Sequence, residues 1–259
     1  IVYYVYAWAK LFENREIAAG EEINVAVLTG NFGNILAAYF AKKMGIPIGK
    51  LICASNDNKV LYDFFATGTY DKNREFILTK SPSMDILISS NLERLIYLSA
   101  GCDSQEDADL MAQLSSQGRY QVTPQMRKNM EDFWGGFADW EEDAGEIRRV
   151  FSDTGYLMDT HTAVASAVYR KYVKETGDSR KTVVASTASP YKFARSVMEA
   201  IAGNQDGKDE FALIDEMSAL SATPVPEAVE EIRSAPIRHN RECSPDQMKE
   251  EVASILGIS

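Results

Sequence analysis

At 259 residues, with 45% hydrophobic and 25% charged positions, the chain has apolar material for one large globular domain or two modest ones. Its 38 acidic against 27 basic residues leave a net charge of −11, and no Lys/Arg-dense segment stands out, which argues against a nucleic-acid partner. No apolar run approaches the ~18 residues that a membrane-spanning helix needs, so no membrane partner is expected.

Cys53, Cys102 and Cys243 are odd in number and far apart, with no CxxC pair or Cys/His cluster. That pattern predicts reduced thiols in a cytoplasmic setting and no zinc site. The opening IVYYVYAWAKL has neither the charged region nor the cleavage site of a signal peptide. It starts in mid-pattern as a helix without its cap, so the sequence reads as the C-terminal portion of a longer protein.

INVAVL at 23–28 is a short apolar run rich in β-branched residues, the mark of a buried strand. A helix follows over 34–44, closed by Gly45 with Pro47 beyond. KLICAS at 50–55 predicts a second strand, and NKVLYDFFATG a second helix stopping at Gly68. This alternation predicts right-handed βαβ units and a parallel sheet. Residues 85–150 carry helical patterns without a convincing strand, which predicts a helical insertion. The α/β rhythm then resumes with a helix from DTHTAVASAVYRKYVKETG, a strand from KTVVAST, and a helix from SPYKFARSVMEAIAG. From 204 onward two or three short helices are expected, jointed at Pro224, Pro226, Pro236 and Pro245.

Between the first strand and helix stands Thr29-Gly30-Asn31-Phe32-Gly33-Asn34. A Gly-rich turn feeding a helix suits phosphate, because unpaired N–H groups of the loop and first helical turn point outward together and the helix dipole adds positive charge. Gly30 and Gly33 allow close approach of backbone to an anion. Thr29, Asn31 and Asn34 could add side-chain donors. The loop has no lysine and so is no Walker-type cradle. A turn that merely needs glycines is one alternative. A dinucleotide site is another, favoured by Asp57 after the second strand but opposed by GxxG where GxGxxG is expected.

The wording of the chain goes further than its spacing. TGNFGNILAAYFAKKMGIPIGKLICASNDN, FFATGTY, SPSMDILISSNLERLIYL, DTGYLMDTHTAVASAVYRKY and STASPYKFARSVMEAI, with the opening IVYYVYAW, together resemble threonine synthases, pyridoxal-phosphate enzymes of the tryptophan-synthase-β-like fold. The resemblance covers nearly all of residues 1–203 in order. It implies a fold-type II α/β architecture with a three-layer parallel sheet. Residues 1–80 and 155–203 would form the cofactor-binding α/β domain, 81–154 a mainly helical insertion, and 204–259 a helical tail.

The resemblance also implies roles. Gly30, Asn31, Phe32, Gly33 and Asn34 would wrap the 5′-phosphate of pyridoxal 5′-phosphate, chiefly through backbone N–H. Thr187, at a strand end, would set its hydroxyl beside the pyridine nitrogen; capping the next helix is the alternative role, which Ser189 fills better. The substrate would be O-phospho-L-homoserine, converted with water to L-threonine and phosphate. In this family the Schiff-base lysine lies well upstream of the TGNFGN loop, so no catalytic residue is expected in this chain. Lys42 and Lys43 fall ~12 Å of helix rise from the phosphate end, and Lys192 should reach solvent. The chain alone should be inactive and would need the N-terminal half of the same protein. Another fold-type II lyase, such as a serine or threonine dehydratase, and a nucleotide-binding module are the competing functions.

His161 falls in a first helical turn behind Asp159 or Thr160 as cap, and His239 in a tail loop. Ser90 or Asn91 could cap a helix in SSNLERL, with a substrate-facing role as the alternative. In FADWEEDAGEIRR, acids precede bases as a helix dipole prefers, and no chemistry is required.

Overall fold

A computed structural model describes residues 1–258. The chain runs α1 Val2–Glu13, β1 Ile23–Leu28, α2 Gly33–Lys43, β2 Ile48–Ser55, α3 Val60–Thr67, β3 Thr69–Asp71, α4 Leu92–Ser99, α5 Ser104–Gln117, β4 Arg119–Gln121, α6 Pro124–Asn129, β5 Phe133–Phe137, α7 Trp140–Thr154, α8 Thr160–Thr176, β6 Thr182–Val184, α9 Ala194–Ala202, α10 Glu210–Ser221, α11 Glu227–Arg233 and α12 Met248–Leu256. It divides into two compact units, Ile1–Thr223 and the segment from Pro224 onward.

The first unit is built on a four-stranded sheet in the order β5-β2-β1-β6, every pairing parallel. A parallel sheet is covered on both faces, so its inner strands read as continuous apolar runs. All six residues of β1 are buried. Its side chains alternate between two cores as a pleat requires. Val25 and Val27 join Ile35, Ala38 and Leu51 on one face, and Ala26 and Leu28 join Val164 and Val168 of α8 on the other. These are the three layers expected. Buried Asn24 is satisfied, donating to Asp178 at 3.0 Å and accepting from the Lys50 amide at 2.8 Å.

The helix ends follow local chemistry. Asp159 caps α8 by accepting from the His161 and Thr162 amides, and Asp139 forms a capping box with Glu142 on α7. Gly68, Gly118, Gly155 and Gly177 close helices in the left-handed conformation.

Residues 81–154 carry four α-helices, α4 to α7, and also two strands that no sequence pattern announced. Phe133–Phe137 (FWGGF) is an edge strand of the main sheet, in register with Leu51–Ser55. Arg119–Gln121 pairs antiparallel with β3 in a small second sheet, where Tyr70 and Tyr120 stack at 5.4 Å. The helix in SSNLERL begins at Leu92, directly after Asn91. The division near 204 also moves, since α10 buries Leu213 and Met217 within the first unit. In the second unit, Pro226 stands at the N-cap of α11, and a capping box at Ser244 opens a 3-10 turn that leads into α12. Among the described residues no helix is long and apolar enough to cross a membrane.

Candidate functional site

The loop after β1 lies at the carboxyl edge of the sheet, where open α/β sheets place ligands. Thr29 completes the strand: its amide donates to Ala54 O at 2.9 Å and its buried hydroxyl to Val27 O at 2.9 Å. The side-chain donor expected of Thr29 is therefore turned into the sheet. Phe32 adopts the left-handed conformation, φ 65°, with its ring 1% exposed. A bulky residue there is strained, and its ring is held among Phe65 and Phe133, with centroids 6.1 and 5.5 Å away.

The main consequence concerns the amides. The first amide to enter the helical ladder of α2 is that of Leu36, donating to Phe32 O at 3.0 Å. Among the described residues, the N–H groups of Gly30, Asn31, Phe32, Gly33, Asn34 and Ile35 have no protein acceptor, and no side chain caps α2. Six consecutive donors without a protein acceptor at a helix N-terminus are groups that an anion could satisfy. The Asn34 Oδ1 accepts from the Tyr4 hydroxyl, which ties α1 to the loop.

Residues 89–91 support the loop from behind, a contact that sequence reading missed. Ser89 Oγ donates to Gly30 O at 2.7 Å. Asn91 donates to Asn31 O from its backbone at 3.1 Å and from Nδ2 at 2.8 Å. Asn91 stands at the N-cap position of α4, but its side chain makes no capping bond. In place of the expected cap, the side chain makes this long-range contact within the chain.

Thr187 lies exposed beyond the end of β6. The register pairs Asn24 with Thr182 and Ala26 with Val184, and Ala185 N donates to Ala26 O at 2.9 Å. Thr187 follows two residues after this last contact, past the carboxyl end of the strand that neighbours β1. Ser189, not Thr187, caps the turn that follows, accepting from Tyr191 N at 3.3 Å. The adjacent Ser186 accepts from Thr162 of α8 at 2.9 Å. The topology therefore brings Gly30–Asn34 and Thr187 to one edge.

The other candidates fall elsewhere. His161 is 2% exposed, with Nδ1 3.3 Å from Asp159 Oδ1 and its ring 4.6 Å from that of Phe193. His239 is exposed. Asp57 is half-buried, and burial together with Asp139 pushes its carboxyl upward. Lys42 bonds Gly49 O at 2.6 Å and Asp132 at 2.8 Å, and Lys43 lies 3.7 Å from Asp132. Lys192 is exposed, its ammonium 5.4 Å over the Phe193 ring. Lys59, unweighed from sequence, lines a cavity with Gly30, yet its ammonium sits 4.4 Å over Phe137 on the β5 side, away from β1.

Comparison with known proteins finds relatives among the threonine synthases. The family model described as "Threonine synthase, C-terminal" matches residues 162–241. The macaque (Macaca fascicularis) protein named threonine synthase-like 1 is 43% identical over 203 residues, which are 78% of this chain and 27% of that protein. The crystal structure of pyridoxal-phosphate-bound threonine synthase from Brucella melitensis is 36% identical with a TM-score of 0.72, covering 82% of this chain and 44% of that one. The yeast threonine synthase structure is 28% identical with a TM-score of 0.83, covering 98% and 51%. The chain thus spans about half the length, or less, of the relatives it matches, and its α/β fold is that of the fold-type II enzymes among them.

Proposed function

We propose that this chain, a relative of the threonine synthases that aligns with part of their length, forms the cofactor-phosphate cup of an enzyme of that kind, converting O-phospho-L-homoserine and water to L-threonine and phosphate. The observation that carries this reading is the run of unpaired amides from Gly30 to Ile35 beside the end of β6. A phosphate monoester dianion needs such donors and no basic side chain. The close packing behind the loop agrees, since a Cβ at Gly30 would lie 2.8 Å from Met84 Sδ and 3.3 Å from the Met84 backbone. These residues fit pyridoxal 5′-phosphate. When bound, that cofactor supplies an electron sink for a carbanion at the carbon bearing the substrate's amino group.

The chain's own residues bind and orient. The amides of Gly30, Asn31, Phe32, Gly33 and Asn34 hold the phosphate, and burial of the Phe32 ring keeps that backbone from rearranging. Thr187 offers a hydroxyl at the ring nitrogen. Unlike a carboxylate, a hydroxyl does not hold a proton there, which weakens the sink and favours elimination over transamination.

Lys42 and Lys43 lie at Asp132, Lys192 faces solvent and the Lys59 ammonium lies over Phe137, which supports a Schiff-base lysine supplied by other polypeptide, the N-terminal half of the same protein. The 259-residue chain alone would then be inactive. Cys53, Cys102 and Cys243 are free thiols, in keeping with a cytoplasmic setting. The test is to supply the full-length protein with O-phospho-L-homoserine and measure threonine and inorganic phosphate. Equimolar release is the expected result. Ammonia and a 2-oxo acid from serine or threonine instead would identify a dehydratase, and NAD binding displaced by inorganic phosphate would identify a nucleotide module.

A further inference from the structure

We infer that Ser89 and Asn91 are positioning residues that set the phosphate affinity of the loop by holding two of its carbonyl oxygens away from the ligand. This deepens the reading of the loop as a phosphate cup and rests on it.

The geometry follows from the planarity of the peptide unit. In a trans peptide the C=O of one residue and the N–H of the next lie in one plane and point in opposite directions. No peptide bond of the chain is cis among the described residues. Ser89 Oγ holds Gly30 O at 2.7 Å, so the Asn31 N–H of the same plane must point away from Ser89. Asn91 holds Asn31 O with two donors, at 2.8 and 3.1 Å, so the Phe32 N–H must point away from Asn91. Both amides lack protein acceptors. Without these donors the two peptide planes could rotate. A carbonyl facing the anion would then replace an N–H, exchanging attraction for repulsion.

The clamp is itself fixed. The Tyr70 hydroxyl donates to Leu87 O at 3.0 Å and accepts from Ser89 N at 2.7 Å. Ser89 and Tyr70 are buried. A Cβ at Gly33 would lie 3.3 Å from Asn91 Nδ2, so the loop and its clamp are packed against each other. The partners are separated by 59 and 60 residues.

The experiment compares dissociation constants of pyridoxal 5′-phosphate and of pyridoxal, by fluorescence, in the full-length protein. Their ratio reads what the phosphate contributes. Ser89→Ala and Asn91→Ala should each narrow that ratio about tenfold, the worth of one well-placed hydrogen bond, with the pyridoxal constant unchanged. Ser89→Thr should restore the ratio. Ser99→Ala, which removes a buried hydroxyl donating to Ile96 O at 2.8 Å on the same helix, should leave it unchanged. An unaltered ratio in both clamp variants, or equal weakening of both ligands, overturns the inference while the cup reading stands. Equal affinity for the two ligands in the unaltered protein overturns the cup reading and the inference with it.

Discussion

The ring of Phe32 packs 5.5 Å from that of Phe133, so the loop residue held at positive φ is anchored to the strand at the edge of the sheet. Phe65 lies against both, 6.1 Å from Phe32 and stacked at 5.3 Å on Phe133. Aromatic packing here offsets backbone strain. Phe32→Ala removes the packing and keeps a Cβ, and should cost about 3 kcal/mol of stability. Urea denaturation of the full-length protein would measure it, and cofactor affinity should fall in the same variant. A loss below about 1 kcal/mol would contradict the anchoring role.

Gly30 is required for a different reason: it lies outside the left-handed region, and space is what limits it. Gly30→Ala would drive a methyl against Met84, whose backbone as well as its sulfur lies close. Overpacking of this kind costs roughly 1–3 kcal/mol. Trimming Met84 to Ala in the same chain should recover part of the stability and of the cofactor affinity, because the clash with the sulfur is relieved and the clash with the backbone is not. Equal stability of Gly30→Ala and the unaltered protein would contradict the packing.

Two carboxyls one turn apart on α7 should respond to pH in opposite senses. Asp143 is pushed up to about 8 by burial, with Asp159, Asp57 and Glu146 adding repulsion. Its folded state therefore holds a proton that the unfolded chain releases near 4. Between those values the folded protein binds more protons, so stability falls as pH rises from about 4 to about 8. For Glu146, burial pushes upward but hydrogen bonds from Arg149, Ser166 and Arg170 outweigh it, and the carboxyl ends below its ordinary value. Its contribution is present above the ordinary glutamate range and is lost as pH falls through the lowered value. Asp143→Asn should raise Tm by an amount that widens from pH 4 to pH 8. Glu146→Gln should lower Tm at neutral pH, and the deficit should shrink in acid. Thermal melts across pH 3–9 would separate the two profiles, and a flat Asp143→Asn difference would contradict this account.

Thr187→Val keeps the shape of the side chain and removes its hydroxyl. If that hydroxyl meets the ring nitrogen, cofactor affinity should drop about tenfold with no change in urea midpoint, because the residue is exposed and makes no described protein hydrogen bond. A shifted midpoint with unchanged affinity would instead mark Thr187 as structural.

Much of the site is legible in the residues because its signals are local. INVAVL forms β1 at the expected bounds, since a short, largely apolar run rich in β-branched residues suits a strand covered on both faces. Asp159 caps α8, Ser189 caps the turn after Thr187, and Gly177 ends α8, because a cap is chemistry between residues two to four apart. The glycines and the helix start likewise announce, within six residues, a loop whose amides stay out of the helical ladder.

What escaped is decided at long range. FWGGF has neither alternation nor a β-branched run, and becomes β5 because Leu51–Ser55 offers it a free edge to pair with. The grip of Ser89 and Asn91 on Gly30 and Asn31 joins segments some sixty residues apart, and nothing in SSNLERL specifies a loop carbonyl as its target. The opposite titrations of Asp143 and Glu146 likewise depend on which groups the packing of α7 and α8 brings near each carboxyl. The bounds of β1, the loop and α2 are readable in the residues because each signal, an apolar β-branched run, a glycine pair or a helical pattern, lies within its own segment. The tertiary structure alone decided which way the loop's amides face, because the orientation of a peptide plane depends on what binds its carbonyl, and here that partner arrives from another part of the chain.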